Sequence, residues 1–251
     1  MPDQPVALIT GANQGIGLQV AKDLAAHHFT VLVGSRDLAK GEVAAQSIGE
    51  AAHAIGLDVT DHASITAAAE RIRTEFGRLD VLVNNAAISH AGPAGTPMEE
   101  ILRSNRPSTA SLGDVRAVFE TNVFGVIAVT QAMLPLLRGA PAGRIVNVSS
   151  GAGSLTLNAD PGFPYRAGFG VAYASSKTAL NAITLAFAIE LEPTGIKVNA
   201  VSPGFTKTNL NNYAGTETVE EGAQEIVRVA LLGPDSPTGT FTHGTQGTLP
   251  W

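Results

Sequence analysis

Val6-Ala7-Leu8-Ile9-Thr10-Gly11-Ala12-Asn13-Gln14-Gly15-Ile16-Gly17 joins a short apolar run to a glycine-rich bend, and helical periodicity follows from 16 to 26. An unbroken apolar run of this length reads as a strand buried on both faces of a parallel sheet. Glycines suit a strand-to-helix bend in which the backbone must turn tightly and approach a pyrophosphate. The helix start then offers free N–H groups and a partial positive charge to that anion. The spacing is GxxxGxG, which by itself also fits a purely structural turn.

Further along the chain the same alternation repeats. Residues 6–10, 30–34, 54–58, 81–84, 144–149 and 197–201 read as buried strands, and 16–26, 38–47, 63–76, 115–137, 173–191 and 219–232 carry helical periodicity. Such alternation calls for an α/β architecture: a Rossmann-type, doubly wound parallel sheet of about seven strands with helices on both faces. No composition break marks a linker, so residues 1–251 read as a single domain. Three polar stretches, 89–113, 151–170 and 204–218, interrupt the alternation, the first with a short helix expected near 98–102. Each follows the C-terminal end of a strand, where open α/β sheets bind ligands, and so is an expected pocket wall.

Composition narrows the function. The chain has 251 residues, is 44% hydrophobic and 15% charged, carries a net charge of -6 and contains no cysteine. That removes disulfides, thiolate metal sites and thiol nucleophiles. No basic run suggests a nucleic-acid partner. Met1-Pro2-Asp3-Gln4-Pro5 has no secretory pattern, and no apolar run approaches the ~20 residues of a membrane span. The expectation is a cytoplasmic protein without membrane or nucleic-acid partners.

At the end of the second strand stands Gly34-Ser35-Arg36-Asp37. A carboxylate there would hold an adenosine ribose, whereas a guanidinium pairs with a 2′-phosphate. Arg36 therefore favours NADPH over NADH, with Asp37 as an alternative ribose partner. Asp58 and Asn84, ending the third and fourth strands, sit where side chains can border the adenine and ribose, or serve as strand-end caps.

Tyr173 and Lys177 lie 4 residues apart at a helix start, hence on one face. A cation beside a phenol lowers its pKa, which makes the tyrosine a usable acid or base. The spacing alone is common among exposed pairs, but the place in the fold is the expected ligand edge. Asn147-Val148-Ser149-Ser150 ends the fifth strand, where a serine can fix a substrate carbonyl. Asn122 stands inside an apolar helix and needs hydrogen-bond partners: a relay water leading to Lys177, or a neighbouring backbone group.

Together these pieces resemble the short-chain dehydrogenase/reductase family in its single-domain form. Those that carry the likeness, in order, are Thr10-Gly11-x-x-x-Gly15-Ile16-Gly17, Leu57-Asp58-Val59, Asn84-Asn85-Ala86, Asn122-Val123-x-Gly125, Asn147-Val148-Ser149-Ser150, Tyr173-x-x-x-Lys177 and Val198-Asn199-x-Val201-x-Pro203-Gly204. The resemblance implies a catalytic set of Asn122, Ser150, Tyr173 and Lys177. In it Ser150 positions the carbonyl, Tyr173 is the acid/base, Lys177 holds the nicotinamide ribose, and Asn122 supports a relay water. It also implies coenzyme contacts from Gly11, Asn13, Gln14, Gly15, Ile16, Gly17, Arg36, Asp58, Val59, Asn85 and Ala86. Asn84 would support that site, and Pro203 and Gly204, with Thr206 or Thr208, would hold the carboxamide.

Two departures stand out. The family's Asn-Asn-Ala-Gly ends here in Ala87, and 23 residues separate Ser150 from Tyr173, a longer gap than usual. The long gap, the Gly11-to-Gly17 stretch and the tail from Pro237 to Trp251 resemble the carbonyl-reductase subgroup. That subgroup favours NADPH and places a lysine where Gln14 stands. The implied activity is NADPH-dependent reduction of a ketone or aldehyde. Alternatives are an alcohol dehydrogenase working oxidatively and a non-catalytic NADP-binding regulator; the sequence leaves monomer and homo-oligomer open. The six histidines show no metal-ligand spacing, and only His90 stands where it can reach substrate. Phe163, Tyr165, Phe169 and Tyr213 either line an apolar pocket or pack their loops, and Trp251 reads as a packing anchor.

Overall fold

The computed structural model describes residues 4–93 and 95–251. The first residues of the N-terminal stretch read above for a leader, 1–3, lie outside the described residues. Strands β1 (Val6–Ile9), β2 (Thr30–Ser35), β3 (Ala52–Gly56) and β4 (Val81–Asn84) alternate with helices α1 (Gly15–Ala26), α2 (Leu38–Ile48) and α3 (His62–Glu75). After β4 come α4 (Met98–Ser104), α5 (Leu112–Phe119) and α6 (Gly125–Leu137), then β5 (Arg144–Val148). The chain continues through α7 (Leu155–Ala159), α8 (Tyr173–Leu191), β6 (Lys197–Ser202), α9 (Val219–Ala230), β7 (Phe241–His243) and β8 (Gly247–Thr248).

Among the described residues, one sheet holds all eight strands in the order β3-β2-β1-β4-β5-β6-β7-β8. Seven are parallel, and β8 pairs antiparallel with β7 at the edge. Side chains alternate across the sheet, so β1 sends Val6 and Leu8 into one core and Ala7 and Ile9 into the other. The first core gathers Leu32, Leu82, Met133, Leu137 and Phe187 under α3, α6 and α8. The second gathers Val33, Val83, Val20, Leu24 and Ile226 under α1, α2 and α9. Burial on both faces explains why the strands read as unbroken apolar runs. The strand order reverses between β1 and β4, and that switch opens a crevice at the carboxyl ends of the strands.

Several sequence boundaries shift. Asp58 lies two residues beyond β3, because its N–H bonds to Ser64 Oγ at 2.9 Å and leaves the ladder. The helix expected at 115–137 starts at Leu112 and contains a π-turn, Glu120–Phe124. Within the loop regions the structure adds α7 and short 3-10 turns at Gly151–Gly153, Arg166–Gly168 and Asn209–Asn211. Trp251 packs as expected, stacked on Phe241 at 5.5 Å. The absence of a spanning-length apolar stretch does not hold: Leu112–Leu137 forms one helical run of 26 residues, apolar and long enough to cross a membrane by length and composition. Half of its most apolar window is buried in the fold, with Val129, Met133 and Leu137 in the core.

Candidate active site

A groove of about 480 Å³ runs along the sheet edge above the β1–β4 switch. Gly11, Asn13, Gln14, Gly15, Ile16, Arg36, Asp58, Val59, Asn85, Ala86 and Thr208 line it. Gly11 and Gly15 bend with φ of 63° and 58°, a left-handed conformation that side chains disfavour. Gly17 lies beneath the turn, where a Cβ would collide with the Asn85 amide. Asn85 Nδ2 donates to the carbonyls of Thr10 and Gly11 at 2.9 and 3.2 Å, and Thr10 Oγ1 accepts the Asn85 and Ala86 N–H groups, each at 2.9 Å. The β4 end thus clamps the glycine turn.

Helix α1 begins at this turn without a side-chain cap, whereas Asp37 caps α2 and Asp61 caps α3. Its first-turn N–H groups therefore remain available to an anion in the groove. Asp37 is spent on Lys40 N at 3.2 Å, and the buried Ser35 hydroxyl donates to Asp37 O at 2.7 Å. Arg36 alone of this trio faces the groove. Partial burial pushes Asp58 up, but hydrogen bonds from the Thr60 hydroxyl and N–H, with the Arg36 charge, outweigh it and hold the carboxylate low.

Not every expected contact is there. Asn84 is 3% exposed and points into the core, donating to Asn147 Oδ1 at 2.8 Å and Thr130 Oγ1 at 3.1 Å. It ties β4 to β5 and does not border the groove. Thr206 is also buried, donating to Pro203 O at 2.9 Å, so Thr208 is the threonine on the groove wall. Pro203 and Gly204 start the turn that leads to it, with Gly204 at φ 79°.

Beyond the groove, Ser150, Tyr173, Lys177 and Asn122 come together from three segments: the end of β5, the first turns of α8 and the π-turn. The Tyr173 phenol faces the Ser150 hydroxyl, and Lys177 Nζ lies 5.7 Å from the Tyr173 ring centroid. Ser149 is turned away and buried, its hydroxyl donating to Asn181 Oδ1 at 2.6 Å. Lys177 is 3% exposed and donates to Val148 O at 2.7 Å. A Cβ on Gly153 would press on the Lys177 backbone at 2.7–2.9 Å, so this close approach of the loop after Ser150 to α8 requires glycine.

Asn122 sits in the π-turn. Its Oδ1 accepts from Ile88 N at 2.9 Å, and its Nδ2 donates to Ile88 O at 2.9 Å and Ser176 Oγ at 3.0 Å. Ser176 Oγ donates onward to Tyr173 O at 2.6 Å. The amide hydrogens are used within the protein, so the side chain braces the Ile88 segment against the start of α8.

The electrostatics also differ from expectation. Burial pushes the Tyr173 phenol up to about 12, and the Ser150 hydrogen bond offsets only part of that. Burial pushes Lys177 down to about 7. The ammonium was expected to lower the phenol, but desolvation dominates both groups.

Sequence reading missed Asn105 and Ser176. Asn105, at the end of α4, is 8% exposed; its Oδ1 accepts Tyr173 N at 3.3 Å and its carbonyl accepts Val171 N at 3.0 Å. It fixes the start of α8 from 68 residues away, and no local pattern announces that. Lys22 and Lys207 on the groove wall were also missed, although Lys207 stands inside the Pro203-to-Thr208 segment. His90 is held within its own loop, beside Ser89 Oγ at 2.9 Å and Pro93 O at 3.3 Å.

Residues 5–218 match the family model described as short chain dehydrogenase. The chain is 39% identical to the short-chain dehydrogenase anuI of Penicillium roqueforti, over 95% of this chain and 92% of that protein. It is 32% identical to salutaridine reductase of Papaver somniferum, over 94% and 93%. The solved structure of that reductase superposes with a TM-score of 0.80 over 95% of this chain and 99% of the other, at 31% identity. NADPH-bound carbonyl reductase from chicken fatty liver gives 0.81 over 99% of both chains, at 26% identity.

Proposed function

Because the chain belongs to the short-chain dehydrogenase/reductase family, and so is an NAD(P)(H)-dependent oxidoreductase acting on carbonyl or alcohol groups, we propose that it reduces a ketone or aldehyde with NADPH and uses Tyr173 as the acid. The observation that carries this reading is the Tyr173 phenol facing Ser150, with Lys177 alongside, beyond the end of the coenzyme-sized groove.

The residues fit a dinucleotide. Gly11, Asn13, Gln14, Gly15 and Ile16 would hold the diphosphate at the uncapped start of α1, and Gly17 lets that turn close. Arg36 would pair with the 2′-phosphate, Asp58 and Val59 would flank the adenine, and Asn85 and Ala86 would border the ribose. Tyr173 and Lys177 would hold the second ribose, and Pro203, Gly204 and Thr208 would form the wall beside the carboxamide, with Thr206 buried behind it. NADPH is favoured because Asp37 is committed to the α2 cap, which leaves a guanidinium and no carboxylate from this segment on the groove.

When bound, the nicotinamide supplies the hydride that adds to the carbonyl carbon. Ser150 donates a hydrogen bond to the carbonyl oxygen and fixes its place. Tyr173 gives that oxygen its proton, which completes the alcohol. A phenol near 12 is protonated at neutral pH and so carries the proton that reduction consumes, while the raised value makes it a weaker acid than a free tyrosine. Asn122 and Asn105 act as positioning residues for the start of α8. The test is coenzyme oxidation at 340 nm over a panel of carbonyls: NADPH consumption that needs the carbonyl supports the reading. Coenzyme binding without consumption across the panel leaves the regulator alternative standing.

A further inference from the structure

The aromatic side chains of the two loops that flank the catalytic cluster meet each other. The Phe163 and Tyr165 ring centroids lie 5.8 Å apart in an edge-on arrangement, and Tyr165 faces Phe205 at 6.3 Å. Such spacings are those of interacting rings. Yet Tyr165 is 60% exposed and Phe205 38%, so this cluster does not serve as core. Leu102 of α4, 46% exposed, continues it on the other side: its Cδ2 lies 3.8 Å from the Cβ position at Gly168.

The segments that carry Phe205 and Leu102 are anchored beside the catalytic cluster. Phe205 lies three residues after Ser202, whose Oγ accepts the Gly151 N–H at 3.0 Å, next to Ser150. Leu102 lies three residues before Asn105, which accepts the Tyr173 N–H. The 163–168 segment touches both, Tyr165 against Phe205 and Gly168 beside Leu102. Only two charges occur between residues 151 and 172, and both are engaged: Asp160 Oδ1 accepts Gly162 N at 2.8 Å, and Arg166 Nε donates to Asn158 O at 3.1 Å.

We infer that Phe163, Tyr165 and Phe205 form a stacking wall that selects a flat, cyclic ketone, such as an aryl-fused or polycyclic one, over open-chain carbonyls. This rests on the reading of Tyr173 as the acid. A ring system reaching Ser150 and Tyr173 from solvent would cover the exposed Tyr165 and Phe205 faces and remove apolar area from water. A small open-chain ketone would leave them wet.

The experiment compares 1-tetralone with 2-butanone, using NADPH and the full chain. Wild type is expected to show kcat/KM at least ~100-fold higher for tetralone. Phe205→Ala and Tyr165→Ala are each expected to lower the tetralone/butanone ratio roughly tenfold, mainly through KM, the size of one lost ring contact. Tyr165→Phe keeps the ring and should keep the ratio, with unchanged thermal unfolding as the control for folding. A wild-type ratio near one, or alanine variants with an unchanged ratio, overturns the wall. Failure to reduce either ketone or any of the wider carbonyl panel overturns the Tyr173 reading itself, and the wall falls with it.

Discussion

The edge formed by β1, β2 and β4 and the edge formed by β5, β6 and α8 face the same crevice but are built from different material. The first works through backbone. Its glycine turn carries left-handed residues, and α1 starts with bare N–H groups while neighbouring α2 is capped by Asp37. The second works through buried side chains: Lys177, Asn122 and Ser176 are each at most 3% exposed and are joined by hydrogen bonds across distant segments. Diphosphate binding is therefore a local property of one turn, and chemistry is a property of the packed fold. A substitution at one edge should leave the function of the other nearly intact.

Among the substitutions that leave Tyr173 in place, Lys177→Met gives the largest effect. Turnover should fall roughly 10²–10⁴-fold, the worth of a positioned acid–base group. The same variant probes burial. The folded-state value of Lys177 lies near 7, below its ordinary 10.5. Between those values the unfolded chain binds the proton more tightly, so this lysine makes wild-type stability rise with pH across the window. Methionine carries no such proton. The stability of the variant relative to wild type should be greatest below pH 7 and decline to a constant by about 10.5. Denaturant unfolding at several pH values reads this directly, and a pH-independent difference would mean that Lys177 is not desolvated.

Arg36→Asp comes next. It removes a charge-assisted fork and adds a repulsive carboxylate, so the NADPH/NADH ratio of kcat/KM should drop ~10–100-fold. An unmoved ratio takes Arg36 out of coenzyme selection. The smallest effects come from a matched pair at the helix starts. Gln14→Asp gives α1 the cap that α2 already has: stability should rise by ~0.5–1 kcal/mol, while coenzyme affinity weakens roughly tenfold through repulsion of the diphosphate. Asp37→Ala should cost ~1 kcal/mol of stability and leave coenzyme affinity within about twofold. Equal affinity losses in the two variants would erase the distinction between the helix starts.

This division also explains what the sequence disclosed. The glycine turn, Arg36 and the strand runs are local patterns, and β1, β4 and α8 were legible nearly to the residue. β7 has only three residues and no alternation of its own, so it left no signal. The π-turn adds no break to an apolar run that reads as one helix from 115 onward. Asn105 and Ser176 act over long range, and Asn84 turned inward because both faces of its strand are covered. The direction of the Tyr173 shift was misjudged for the same reason: spacing reveals a neighbouring ammonium, while burial is visible only once the chain is packed.

The division rests most heavily on Tyr173→Phe, with NADPH affinity and carbonyl-dependent turnover measured on the same preparation. Affinity within about twofold of wild type, together with turnover lowered by ~10³-fold or more, is the expected result. Turnover close to wild type on a carbonyl that the native chain reduces well would show that the proton comes from elsewhere.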